Sequence, residues 1–178
     1  MERNNKIKTF RDLFFKAVEP NSFISSFITG HLMIEFLLIK IVEVSSPKLS
    51  DFAESLNHQK LIQLVSGLGL ISDDVTETLL SINRMRNKLV HDISFMPTIQ
   101  EYKQILLLAQ RAFSDMTDGI SQALDEIEGK TRIEDCDGFI FLELFIQTSY
   151  DLHGIYNELG GDIENFNFSY EKHPPKKE

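Results

Sequence analysis

The chain has 178 residues, a formal net charge of −9 and one cysteine, Cys136. This length fits one domain with its own core, and a single cysteine excludes an internal disulfide and fits a reducing compartment. The acidic balance disfavours binding to phosphate backbones, which depends on clustered lysine and arginine.

Neither the start of the chain nor its most apolar stretch has the pattern of a membrane segment. Residues 1–15 carry charge but no apolar centre, unlike a secretory signal. Residues 32–44 are interrupted by Glu35, Lys40 and Glu43, so they are too short and too charged to span a bilayer. We therefore expect a cytoplasmic protein without membrane contact.

The first half of the chain predicts a series of helices. An N-cap with an acidic first turn predicts a helix over about 9–18, which Pro20 ends. A second helix, over about 21–44, is apolar almost all round and belongs in the middle of a bundle. A third begins near His58 and ends at a glycine, Gly67 or Gly69.

The stretch 72–92 predicts a helix with a clear start. Ser72 suits the N-cap position, and Asp73 and Asp74 place negative charge at the positive end of the helix dipole. Residues recur at steps of three and four, which predicts one buried face: Val75, Leu79, Ile82, Met85 or Arg86, and Leu89.

The longest predicted helix covers about 98–128. Thr98 and Glu101 form a capping-box pattern at its start. Apolar positions then continue at helical spacing through Met116 to the end. Gly119 lies inside this helix, where it indicates a bend or a close approach.

A polar loop and a last helix complete the expected domain. The helix covers about 139–159, and Asp135 or Asp137 is expected to cap it. We expect one domain at 1–161 and a disordered tail at 162–178, because that stretch is charged and contains proline.

Several polar side chains gather near the end of the helix predicted within 72–92. Arg84, Asn87 and His91 share one face, because they are three, four and seven positions apart. Arg86 lies beside the apolar face, well over a quarter turn from His91. It must therefore pair with a carboxylate or run its stem along the core to reach solvent.

Residues 60–92, KLIQLVSGLGLISDDVTETLLSINRMRNKLVHD, resemble the HEPN-like helical bundles and especially the mannitol operon repressor family. The shared pattern is a helix ending in a GLGLI-type connector, then a capped helix that closes on an arginine, a few residues and a histidine. The resemblance covers about 21–128. It implies an all-α, antiparallel, HEPN-like bundle of five or six helices that forms a homodimer.

The resemblance also implies two alternative roles for this motif. In HEPN ribonucleases an arginine, a polar residue, three more residues and a histidine form the signature, matched here by Arg86, Asn87 and His91. His91 would transfer a proton, and Arg86, with Arg84 as an auxiliary, would stabilise phosphoryl oxygens. Asn87 would orient His91 or a phosphate. The mannitol-repressor-like branch has a similar spacing and is regulatory rather than catalytic.

In a structural interpretation, Arg86 pairs with a carboxylate and holds helices together. Asn87 and His91 then stabilise the C-terminal end of the helix, by bonding its last carbonyls or by placing positive charge at the negative end of its dipole. The inward placement of Arg86 and the acidic net charge of the chain favour this structural interpretation.

We therefore expect a non-enzymatic regulatory protein that binds another protein, either repressor-like or an immunity or antitoxin protein that neutralises a basic nuclease. The alternative is a HEPN-type metal-independent ribonuclease toxin that uses Arg86 and His91.

No other pattern predicts a chemical site, so we expect no cofactor and no metal. Metal-ligand spacing is lacking among His31, His58, His153 and Cys136. His31 is expected to be a hydrogen-bonded core or interface histidine. Direct DNA binding is disfavoured, because the chain has no helix-turn-helix pattern and no basic recognition helix.

Overall fold

The computed structural model describes residues 9–11, 23–92, 95–162 and 164–166, in which every regular element is helical. Two 3₁₀ turns, Pro47–Leu49 and Ile133–Asp135, accompany seven α-helices. The α-helices are α1 (Phe23–Ser45), α2 (Ser50–Ser55), α3 (His58–Gly67), α4 (Asp73–His91), α5 (Ile99–Ala112), α6 (Gly119–Ile127) and α7 (Phe139–Glu158).

The all-α prediction is confirmed, but the described residues hold seven α-helices instead of the expected five or six. Within these residues, no helix combines the length and hydropathy needed to cross a membrane. The helix predicted at 9–18 lies mostly outside the described ranges.

Helices α1 and α7 form the centre of the bundle and make its most extensive helix–helix contact. Both are buried on more than one side because their sequences are apolar on more than one side. Gly30 of α1 lies against α7, and a Cβ at this position would overlap the ring of Phe145. The missing side chain therefore permits the close approach of the two helices.

Helix α4 forms within the predicted stretch and begins directly after the predicted cap. Its cap is Ser72, whose Oγ accepts a hydrogen bond from the backbone N–H of Val75 at 3.3 Å. The predicted apolar face is buried, and it packs chiefly on α5 and also on α3 and α1. This packing turns the residues beside the apolar face toward α1 and α3.

The single helix expected over 98–128 is divided into α5 and α6. The predicted capping box is present: Glu101 accepts from the N–H of Thr98 at 2.9 Å, and Thr98 Oγ1 accepts from the N–H of Glu101 at 3.2 Å. The chain then leaves the helix, and the carboxylate of Asp115 accepts from the N–H groups of Ile120 and Ser121 at 2.9 and 3.1 Å.

This carboxylate satisfies N–H groups of the first turn of α6, and so a new helix starts where the apolar spacing predicted a continuous one. Met116, expected in the core, is 75% exposed. Gly119 makes the predicted close approach, because a Cβ there would overlap the carboxylate of Glu143.

The last helix begins at Phe139 as predicted, but its N-cap residue is Gly138 and not Asp135 or Asp137. The N–H of Phe139 donates to Asp137 Oδ1 at 2.9 Å, which supports the first turn of α7. Within the expected tail, Phe166 is buried and its ring lies 5.0 Å from that of Phe36 and 5.5 Å from that of Tyr156. Residues 163 and 167–178 of that tail lie outside the described ranges.

Candidate functional site

A polar pocket of about 360 Å³ lies where α1, the start of α3 and the middle of α4 meet. Its chemistry comes from groups that three different helices contribute. The lining residues are His31, Glu35, Leu56, Asn57, His58, Gln59, Asn83, Arg86 and Asn87.

Local helix geometry places the pocket's side chains. His31 and Glu35 are one turn apart on α1, so they share a face. His58 is the first residue of α3, because Asn57 caps that helix by accepting from the N–H of Lys60 at 3.0 Å. Asn83 lies on the inward side of α4 and is buried.

The two histidine rings lie close together in a tilted arrangement. Their ring centroids lie 3.8 Å apart with 33° between the planes. His31 Nε2 lies 3.2 Å from Asn83 Oδ1, which can only accept, so Nε2 carries the proton and Nδ1 holds a lone pair. Burial and the neighbouring His58 lower the pKa of His31 to about 4, although the hydrogen bond to Asn83 opposes this shift. His31 is therefore neutral at physiological pH.

Glu35 brings a negative charge to this pair. Its Oε2 lies 3.6 Å from His58 Nδ1, just beyond hydrogen-bond reach. One ligand atom from each of His31, Glu35 and His58 can be chosen so that all three lie within 4.8 Å of one another. The pocket thus holds two imidazoles and a carboxylate in one small volume.

Arg86 makes no salt bridge with any described residue, unlike in the structural interpretation. Its Nη1 donates to Asn87 Oδ1 at 3.1 Å, and none of the carboxylates that the structure describes lies within 4.0 Å of its guanidinium. Its Nε is buried without a hydrogen-bond partner in the described part of the chain. An unpaired buried donor of this kind calls for a physical explanation.

The predicted site residues occupy different places. Arg86 and Asn87 line the polar pocket, whereas Arg84 and His91 are exposed and do not. His91 is the last residue of α4, five positions beyond Arg86, which corresponds to about 140° around the helix. Their catalytic or structural role stays a prediction.

Sequence reasoning missed most of the pocket. His31, Glu35 and Asn83 lie on two different helices, and His58 on a third, so only the tertiary structure shows them together. One local signal was available, since His31 and Glu35 stand at i and i+4 in a helix that is otherwise largely apolar.

A second concavity, the apolar groove, has about 500 Å³ and lies between the α3–α4 connector, the α5–α6 turn and α7. Its floor includes Ile71, Phe113 and Leu152, which are buried. At its edge Met116 is 75% exposed and Tyr150 is 37% exposed. A large exposed methionine beside an apolar floor is typical of a contact surface.

No protein-family model, curated protein or solved structure matches this chain. The functional argument therefore comes from the polar pocket, the apolar groove and the charge of the molecule.

Proposed function

We propose that the chain is a non-enzymatic regulatory protein that acts by binding another protein. The observation that carries the proposal is the separation of Arg86 from His91. Arg86 is half-buried in the polar pocket, and His91 is exposed at the end of α4. Ribonuclease chemistry needs the proton-transfer group and the phosphate-stabilising group at one phosphate. Of these two residues, only Arg86 lines the polar pocket, which supports a non-enzymatic role.

The apolar groove is the proposed contact surface. Among its described lining residues there is no lysine, arginine or histidine, while Asp151 and Glu158 contribute carboxylates. Asp151 is partly satisfied, because the N–H and Oγ of Ser114 donate to it at 3.1 Å. The complementary partner is a protein segment with apolar side chains and basic flanks.

Two kinds of regulator fit this chemistry. The resemblance of residues 60–92 to the mannitol operon repressor family supports a repressor-like role in a cytoplasmic homodimer. The net charge of −9 supports an immunity or antitoxin protein that neutralises a basic nuclease. In both cases the chain acts through protein contact and not by binding DNA.

The test is recovery of the partner from the native host, followed by a binding measurement with the purified pair. Met116→Glu places a charge at the groove, and Phe52→Glu is the matched control, since Phe52 is also more than half exposed but lies on α2 outside the groove. We expect Met116→Glu to weaken binding at least about tenfold, the effect of losing one important contact residue.

We expect Phe52→Glu to leave binding unchanged. An equal loss of partner affinity in both variants would mean that the partner binds outside the apolar groove. Failure to enrich a basic protein over an unrelated bait of the same charge would remove the basis for an immunity or antitoxin role.

A second candidate is the HEPN-type ribonuclease toxin. One observation favours it: Arg86 and Asn87 line the same pocket as His31 and His58, so this pocket holds imidazoles beside the guanidinium although His91 does not line it. This candidate predicts metal-independent cleavage of RNA that Arg86→Ala abolishes.

A further inference from the structure

We propose that His31, Glu35 and His58 bind a divalent transition-metal ion, with Zn²⁺ as the first candidate. Their ligand atoms lie within 4.8 Å of one another. Two imidazoles and one carboxylate form a set of three protein ligands that leaves a coordination position open for water or another ligand. This inference goes beyond the proposed function, because it assigns a ligand to the polar pocket and not to the apolar groove.

Unpartnered nitrogens point independently to a ligand. His31 is 2% exposed and His58 is 6% exposed. Nδ1 of His31 and both ring nitrogens of His58 have no hydrogen-bond partner among the described residues. Buried polar atoms are costly when unpaired, and coordination to a metal ion is one way in which a lone pair of this kind is satisfied.

Asn83 orients the ring of His31. Its Oδ1 lies 3.2 Å from Nε2 of His31, and this hydrogen bond fixes the ring with Nδ1 as the available lone pair. Metal-binding histidines commonly donate their other N–H to a protein oxygen in this way, which orients the ring. Asn83 is thus a positioning residue for the proposed site.

The donor set selects the class of ion. Imidazole nitrogen with carboxylate oxygen suits Zn²⁺, Fe²⁺ or Mn²⁺, whereas Ca²⁺ and Mg²⁺ prefer oxygen ligands alone. Ligand atoms about 2.1 Å from a tetrahedral ion are about 3.4 Å apart, so no pair of ligand atoms has to approach by more than about 1.4 Å on binding. The separation of 3.6 Å between Glu35 Oε2 and His58 Nδ1 is already close to that value.

The experiment is a zinc titration of the full chain, stripped with EDTA, in competition with a chromophoric chelator. We expect one Zn²⁺ per chain. Glu35→Gln and His58→Asn should each weaken binding by more than about tenfold, since even residues behind the ligands contribute about 10–100-fold. Asn83→Ala should weaken zinc binding by a factor within that range. Cobalt(II) should give absorption bands that Glu35→Gln alters.

His91→Ala is the matched control, because His91 is an exposed histidine outside the pocket and should leave zinc affinity unchanged. Circular dichroism verifies the fold of each variant. Glu35→Gln is the conservative choice, because it keeps the shape of a side chain that is 19% exposed. If this variant fails to fold, His58→Asn carries the test.

Two results would overturn the proposal. One is folded wild-type protein that binds none of Zn²⁺, Mn²⁺ or anaerobic Fe²⁺. The other is zinc binding that His91→Ala weakens as much as Glu35→Gln does. Neither result affects the protein-binding proposal, whose groove variants are measured separately and in EDTA.

Discussion

Replacement of Arg86 distinguishes a buried ion pair from the arrangement observed in the polar pocket. Breaking a buried ion pair costs about 3–5 kcal/mol, because one charge remains uncompensated. Arg86 is half-buried, its recorded polar contact is to Asn87 at 3.1 Å, and none of the described carboxylates lies within 4.0 Å. We therefore expect Arg86→Ala to destabilise the protein by less than a broken ion pair would.

Opposing contributions set the expected magnitude. A hydrogen bond from a charged group contributes about 1.5–3 kcal/mol, and the packed methylenes of the arginine stem add to the loss. In the other direction, the substitution removes the buried, unpaired Nε, whose desolvation costs about 1–3 kcal/mol. We therefore expect Arg86→Ala to lower the free energy of unfolding by about 1–2 kcal/mol. Arg86→Met keeps most of the stem and should be close to neutral.

The assay is urea unfolding followed by far-UV circular dichroism. Asn87→Ala and the double variant complete a cycle that isolates the contact between the two side chains. A loss of about 3–5 kcal/mol in Arg86→Ala, matched in Arg86→Met, would refute this reasoning and indicate an ion pair. The same denaturation curves also verify that each variant is folded in the metal and partner experiments.

Three further substitutions test the packing and electrostatics of the core. Gly30→Ala should cost about 1–3 kcal/mol because its Cβ would overlap the ring of Phe145. Gly154→Ala should stabilise α7 by up to about 1 kcal/mol, because the new Cβ would meet no atom within 4 Å among the described residues beyond its own stretch of helix. Thermal unfolding measures both, and equal effects would contradict the close approach. Burial, with Asp115 nearby, raises the pKa of Glu143 above its ordinary 4.5. The folded state therefore holds this proton more tightly than the unfolded chain, so the contribution of Glu143 to stability is present below pH 4.5 and is lost as pH rises through the raised pKa. Glu143→Gln should raise Tm relative to wild type at neutral pH and not below pH 4.5, and a gain independent of pH would contradict this prediction.

Local signals predicted most helix boundaries. Helix α4 matches because the Ser72 cap, the acidic first turn and the apolar spacing agree with one another. Helix α3 starts at His58 and ends at Gly67, as predicted. Where two local signals competed, the prediction was wrong: apolar spacing continued through Met116, but the carboxylate of Asp115 starts a new helix there.

The candidate site was less accessible to sequence reasoning. Helical periodicity placed Arg86 and His91 on different sides of one helix, and the structure has one in the pocket and the other exposed. Helical periodicity gave no information about which other helix would face Arg86. The contribution of His31 and His58 depends on how α1 and α3 pack on α4, and the spacing along the chain does not encode that contact.

The central claim is that Arg86 and His91 do not act as one catalytic pair. The most direct measurement is incubation of wild type, Arg86→Ala and His91→Ala, purified in parallel, with total RNA in EDTA, followed by electrophoresis of the RNA. We predict that all three proteins leave the RNA intact to the same extent. Cleavage by wild type that is lost in both variants would contradict the claim and make the ribonuclease candidate the better account.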